Sequence, residues 1–194
     1  MVKSIGLNKI NTCVFISGTG SNLENLIKFS LTKKSPININ LIFCNKVNAK
    51  GLMYANKYNI KKKIYFLKKK AKDEEKMLKD LKKNKVKLIC LAGFMKILSK
   101  NFIKKFNGKI INIHPSLLPK YKGLNTHERA LKNKEKFSGC TVHYVNSKLD
   151  SGKIILQSKV KINKNDTVEK LRKRILKQEY KIFPKAIKKV LFNL

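Results

Sequence analysis

The sequence predicts an α/β fold in which a mostly parallel sheet carries helices on both faces. Apolar, β-branched runs recur at 12–17, 38–44, 63–67, 86–92, 109–113, 140–145 and 154–162, and polar segments of helical spacing separate the earlier ones. The runs at 38–44 and 86–92 are almost continuously apolar, as strands are when both faces are covered. With 194 residues the chain fits one domain, long enough to bury about 70% of its unfolded surface. The reading is a Rossmann-like single domain over 12–194, with residues 1–11 as an N-terminal extension.

The first run, Thr12 to Ser17, breaks into Gly18-Thr19-Gly20-Ser21-Asn22 and resumes as Leu23-Glu24-Asn25-Leu26-Ile27, a strand-to-helix turn. Glycines at 18 and 20 let the backbone approach a ligand, and Ser21, Asn22 and the first helical N–H groups face an anion. No Lys-Ser/Thr follows, so this is not a P-loop, and Leu23 breaks the Gly-x-Gly-x-x-Gly fingerprint. Such a turn binds phosphate or simply packs a helix onto a strand.

After the run at 86–92, Phe94-Met95-Lys96-Ile97-Leu98 is either ordinary core or the apolar wall of a pocket. The run at 109–113 leads into Asn112-Ile113-His114-Pro115-Ser116-Leu117-Leu118-Pro119. Residues two apart on a strand share a face, so Asn112 and His114 project together from its C-terminal end, where open α/β sheets bind ligands. An amide beside an imidazole can stabilise a developing oxyanion and move a proton, or else stabilise a turn.

Between the last two runs lies the turn-rich segment Ser147–Lys153, which allows a strand of different direction. Its Asp150 is either an orienting partner that raises the pKa of His114 or the acceptor of an Asx turn. His127 and His143 are weaker candidates, opening a helical segment and lying mid-strand, and three dispersed histidines form no metal constellation. The closing stretch offers Asp166 as an N-cap with Glu169 three residues later, which predicts a helix over 167–181.

Cys13, Cys44, Cys90 and Cys140 lie in separate apolar runs with no Cys-x-x-Cys pair, and read as buried and reduced. No apolar stretch approaches the roughly 20 residues of a membrane span, and residues 1–16 lack a signal-peptide pattern, so a cytoplasmic protein is expected. The net charge of +35 would suit nucleic acid, yet only Arg129, Arg172 and Arg174 among 46 basic residues are arginine. Lysine is spread along most of the chain without interleaved aromatic residues, which reads as a solvated surface and a biased composition.

Taken as a set, four segments resemble phosphoribosylglycinamide formyltransferases in order and spacing. They are Ile16–Leu23, Leu91–Leu98, Asn112–Gly123 and Leu149–Gly152, and the resemblance spans roughly residues 12 to 185. It implies formyl transfer from 10-formyltetrahydrofolate to glycinamide ribonucleotide, with no metal, by a monomer or homodimer. By the same resemblance Asn112, His114 and Asp150 are catalytic, and Gly20, Ser21, Asn22 and Glu179 hold the ribonucleotide. Met95, Lys96, Ile97, Leu98, Asn146, Ser147, Lys148, Leu149 and Asp150, with Asn112, line the folate site. Departures from the family pattern are Thr19, Lys96 for a usual Arg, Asn125 for a frequent His, and Leu176 for a common ribonucleotide-binding Gln.

Two rivals remain. The formyl-transfer domain of methionyl-tRNA formyltransferase shares the folate segments, but the Gly20-Ser21-Asn22 loop belongs to the ribonucleotide enzyme, and no tRNA-binding second domain is expected after the last helix. A basic RNA-binding protein would explain the charge but not Asn112, His114 and Asp150 in register. In a filter assay, random RNA is expected to pass unretained at physiological salt; tight retention would overturn the solvated-surface reading.

Overall fold

The structure, a computed structural model, describes residues 9–192. Seven strands make one sheet: β1 (Ile10–Ile16), β2 (Ile37–Cys44), β3 (Lys62–Ile64), β4 (Leu88–Leu91), β5 (Lys109–His114), β6 (Phe137–Tyr144) and β7 (Ile154–Lys161). Their spatial order is β3-β2-β1-β4-β5-β6-β7. The pairs from β3 through β5 are parallel, whereas β6 runs antiparallel to both of its neighbours. Each predicted run therefore contains a strand, and the strand of different direction is β6.

The helices are α1 (Ser21–Ser30), α2 (Leu52–Lys57), α3 (Lys70–Lys83), α4 (Lys100–Lys105), α5 (Thr126–Lys132) and α6 (Val168–Phe192). Alternation along β1 shows how they share the sheet. Val14 and Ile16 belong to a core built with Leu23 and Leu26 of α1 and Ile175 and Phe183 of α6. Cys13 and Phe15 face the other way, into a core with Met77 and Leu81 of α3 and Phe102 of α4. All four cysteines are free and buried.

Three expected boundaries shift. Strand β1 begins at Ile10, so the extension drawn over 1–11 gives up its last two residues to the sheet, and residues 1–8 lie outside the described residues. Helix α6 continues to Phe192, well beyond 181, because Ile182, Phe183, Ala186, Ile187 and Val190 keep one face buried. Pro184 removes the N–H that would serve the Tyr180 carbonyl, and the Asn25 side-chain amide of α1 donates to that carbonyl at 3.0 Å instead. Asp166 is not the N-cap; Thr167 Oγ1 accepts from Lys170 N–H at 3.2 Å, while Asp166 pairs with Arg174.

Strands β1, β4 and β5 are neighbours, so their C-terminal ends bring the segments 17–22, 92–98 and 112–119 side by side. Backbone glycines lock the first of these. Gly20 sits at φ 75°, and Gly51 N–H donates to Gly18 C=O at 2.9 Å. A Cβ on Gly51 would stand 2.8 Å from both Gly20 Cα and Ile16 Cδ1, whereas one on Gly18 would meet nothing within 4 Å. Gly51→Ala is therefore expected to cost about 1–3 kcal/mol and lower Tm by roughly 3–10 °C. Gly18→Ala should move Tm by no more than about 2 °C. Equal melting curves for the two variants would show that the loop does not depend on that close approach.

Candidate active site

The turn after β1 forms one wall of a cavity of about 210 Å³ lined by Gly18 through Asn22, Pro115, His127, Arg172, Leu176 and Glu179. No side chain caps α1, so its first N–H groups remain directed at whatever occupies the turn. Asn22 Nδ2 donates to Glu179 Oε2 at 2.7 Å, joining α1 to α6 in a buried pair. Burial raises the Glu179 pKa and the Asn22 amide opposes that rise. Asn22 Oδ1 is buried without a partner, leaving an acceptor free at the cavity wall.

On the other side of the segment 93–98 is a narrower cleft of about 70 Å³, lined by Phe94, Lys96, Ile97, Leu98, Asn112, His143, Asn146, Lys148, Leu149 and Asp150 among others. The choice between core and pocket wall for 94–98 has a double answer. Phe94 packs edge-on against Phe15 with centroids 5.2 Å apart and also lines the cleft, while Ile97 is exposed. Met95 departs from expectation by lining the larger cavity, because its N–H is tied to Ser17 Oγ at 2.8 Å. Ser147 also departs: it is exposed and lines neither space, although Asn146, Lys148, Leu149 and Asp150 line the cleft.

At the end of β5, Asn112, His114 and Asp150 meet as expected. Asp150 adopts the left-handed conformation at φ 44°, which a short polar side chain tolerates. Its Oδ2 accepts Gly123 N–H at 2.8 Å and stands 3.4 Å from His114 Nδ1. Its Oδ1 lies 3.5 Å from Asn112 Nδ2 and 3.7 Å from His143 Nε2. Burial opposes ionisation of Asp150, but His143, the Gly123 amide and His114 together bring its pKa below the usual carboxylate value.

The expectation that Asp150 raises the His114 pKa is corrected in its net direction. The carboxylate does push upward, as does the hydrogen bond to Tyr121, yet burial outweighs both and the pKa falls below 6.5. At neutral pH the pair is carboxylate and neutral imidazole. His114 Nε2 lies 2.9 Å from the Tyr121 carbonyl, which can only accept, so Nε2 carries the proton. Nδ1 is left as a base facing Asp150.

His143, passed over as a mid-strand residue, belongs to this cluster. It lies opposite Asn112 in the β5–β6 register. Its Nδ1 lies 2.8 Å from Tyr144 C=O and donates to it, so Nε2 accepts from Asn112 Nδ2 at 3.1 Å and fixes which way that amide points. Polar Thr141 and His143, two apart around Val142 in a mostly buried strand, were the sequence signal for it. His127 and Arg172 are also brought to the larger cavity; neither position was distinguishable from surface in the sequence. Among the described residues no cluster of three or more His, Cys, Asp or Glu side chains is placed to hold a metal.

Comparison with known proteins gives a consistent picture. The chain matches the formyl transferase family over residues 10–187. It is 44% identical over 178 residues to the phosphoribosylglycinamide formyltransferase of Haemophilus influenzae, covering 90% of this chain and 84% of that one. To the human trifunctional purine biosynthetic protein adenosine-3 it is 41% identical over 185 residues, covering 94% of this chain but 18% of the relative. The chain thus spans about a fifth of the length of the trifunctional relatives it matches. The crystal structure of phosphoribosylglycinamide formyltransferase from Anaplasma phagocytophilum superposes with a TM-score of 0.87 at 44% identity, covering 93% of this chain and 86% of that one. Since the match runs from the first residue of β1 into the last turns of α6 and takes in every residue of the buried cluster, the chain belongs to the formyl transferase family.

Proposed function

We propose that this protein transfers a formyl group from 10-formyltetrahydrofolate to the amino group of glycinamide ribonucleotide, a step of purine biosynthesis. One observation carries the reading: Asn112 and Asp150 line the apolar-walled cleft, Pro115 lines the larger cavity beside the α1 N-terminus, and His114 lies next to Pro115 in sequence and 3.4 Å from Asp150. The residues present fit both ligands. The α1 N-terminus suits a phosphate and Glu179 the ribose or glycinamide portion, while Phe94, Ile97, Leu98 and Val145 offer apolar contact to a flat ring with Asn146 and Asp150 at its polar edge.

The folate co-substrate supplies the formyl carbon on its N10. Asn112 meets the oxygen of that group as negative charge develops, using the amide hydrogen that Asp150 holds only at 3.5 Å. His114 Nδ1 takes the proton that the attacking amine must lose and returns it to N10 as the old C–N bond breaks. The products are formamide and N10–H, so no proton is gained or lost in sum. Asp150, 3.4 Å from Nδ1, stabilises the imidazolium formed in passing and holds the ring in orientation.

Formyl transfer followed spectroscopically tests this. His114→Ala is expected to lower kcat by about 10²–10⁴ with little change in KM. Because neutral His114 is the active form and burial holds its pKa below 6.5 in the free protein, kcat/KM should rise with pH at a midpoint below 6.5 and be flat above it. Asp150→Asn removes an upward contribution, so the rising limb should move to lower pH while kcat falls. No transfer by the folded natural protein would refute the reading, and an Asp150→Asn variant with unchanged turnover would refute the role given to Asp150.

A further inference from the structure

We propose that Arg172 is the phosphate-recognising cation of the ribonucleotide cavity and sets its preference for a phosphorylated amine; the proposal rests on the formyl-transfer reading above. Arg172, Leu176 and Glu179 follow one another on α6 at spacings of four and three, so they share the face turned toward the start of α1. In a chain with 46 basic residues, Arg172 is the one lysine or arginine among the described residues that lines this cavity. His127 supplies no charge there, because burial first, and then the neighbouring Arg172 and His114, push its pKa down to about 4.

The three arginines divide by what their guanidinium groups do. Arg174 holds Asp166 through two nitrogens and also reaches the Lys161 carbonyl. Arg129 donates to the Lys122 carbonyl at 2.7 Å and lies over the Tyr121 ring. Arg172 has a single contact of 3.4 Å with Glu169, between side chains that are 53% and 63% exposed. Exposed pairs of that kind contribute little, so the planar fork at the cavity remains available for a ligand.

The cavity also sorts its groups by sign. The first N–H groups of α1 and the Arg172 guanidinium donate, whereas the unpartnered Asn22 Oδ1 and the Glu179 carboxyl accept. Such a site takes a molecule that joins an anionic oxygen cluster to hydroxyl or amine donors, as a sugar phosphate bearing an amine does. Leu176 presents no polar group where the resemblance leads one to expect a glutamine, and Arg172, one turn earlier on the same face, supplies the missing donor.

The natural protein, Arg172→Ala, Arg172→Lys and the control Glu169→Ala are compared in the formyl-transfer assay with glycinamide ribonucleotide varied. Arg172→Ala should raise KM for the ribonucleotide about tenfold, with kcat and the folate KM within about twofold. Arg172→Lys should recover only part of that loss, and Glu169→Ala should leave KM unchanged. As a second readout, ribose 5-phosphate should raise Tm of the natural protein more than that of Arg172→Ala, while unphosphorylated ribose should not distinguish them. If the natural protein is active and Arg172→Ala keeps its KM, or loses kcat in place of KM, the inference falls and the formyl-transfer reading stands. A folded natural protein without transfer removes both.

Discussion

Burial of the Asp150 carboxylate is the constraint around which this end of the sheet is arranged. A carboxylate withdrawn from water without partners would cost several kcal/mol, and Asp150 is provided with them from separate pieces of the chain. The turn after residue 120 brings the Gly123 N–H and β5 brings the Asn112 amide, while His114 Nδ1 and His143 Nε2 stand 3.4 and 3.7 Å away, where the carboxylate stabilises a proton arriving on either ring. The loop must return tightly to present it. A Cβ on Gly152 would stand 1.6 Å from the Tyr144 carbonyl, so the chain after Asp150 can rejoin β7 only with glycine at that point. The requirement that keeps the fold consistent here is also what fixes Nδ1 of His114 against an anion, which makes electrostatics and architecture inseparable at this site.

A second clamp sets the other half of the site. Asn22 and Asn25, one turn apart on α1, bond respectively to Glu179 and to the Tyr180 carbonyl of α6. The latter bond exists because Pro184 leaves that carbonyl without its usual donor. An otherwise unfavourable residue in a long helix thereby becomes the reason α1 and α6 keep one relative position. The N-terminus of α1 and the Glu179 carboxyl are consequently held at a fixed separation.

Much of this was legible in the sequence because it lies in local pattern. Almost continuously apolar runs marked β2 and β4 as doubly covered strands, and the spacing of Asn112 and His114 placed them on one face of β5. What the sequence withheld depends on contacts between distant segments. His143 reads as an isolated polar residue until the antiparallel register sets it beside Asn112. The sign of the His114 shift required burial to be weighed against charge, and a nearby aspartate alone suggested the opposite outcome. The end of α6 was placed too early because the apolar positions counted stopped at 176, whereas the buried face continues through Ile182, Phe183, Ala186 and Ile187 to Val190 with Lys181 and Lys185 on the solvent side. Asp166 satisfied the capping motif in sequence, yet Arg174 on the next turns competed for its carboxylate and won it.

The basic character of the chain divides into two physical effects with different ranges. Dispersed lysines that contribute to the net charge of +35 create a diffuse positive field, which draws anions toward the surface but is screened over about 8 Å at physiological salt. That field discriminates poorly among anions. Selection among anions requires a place where water is partly excluded and donors are fixed in direction, and the larger cavity offers main-chain N–H groups and the Arg172 side chain there, with no lysine among its described lining residues. A lysine-rich surface and a cavity with no lysine among its described lining residues are therefore compatible in one protein, since a diffuse field acts on encounter and fixed donors act on which encountered anion stays.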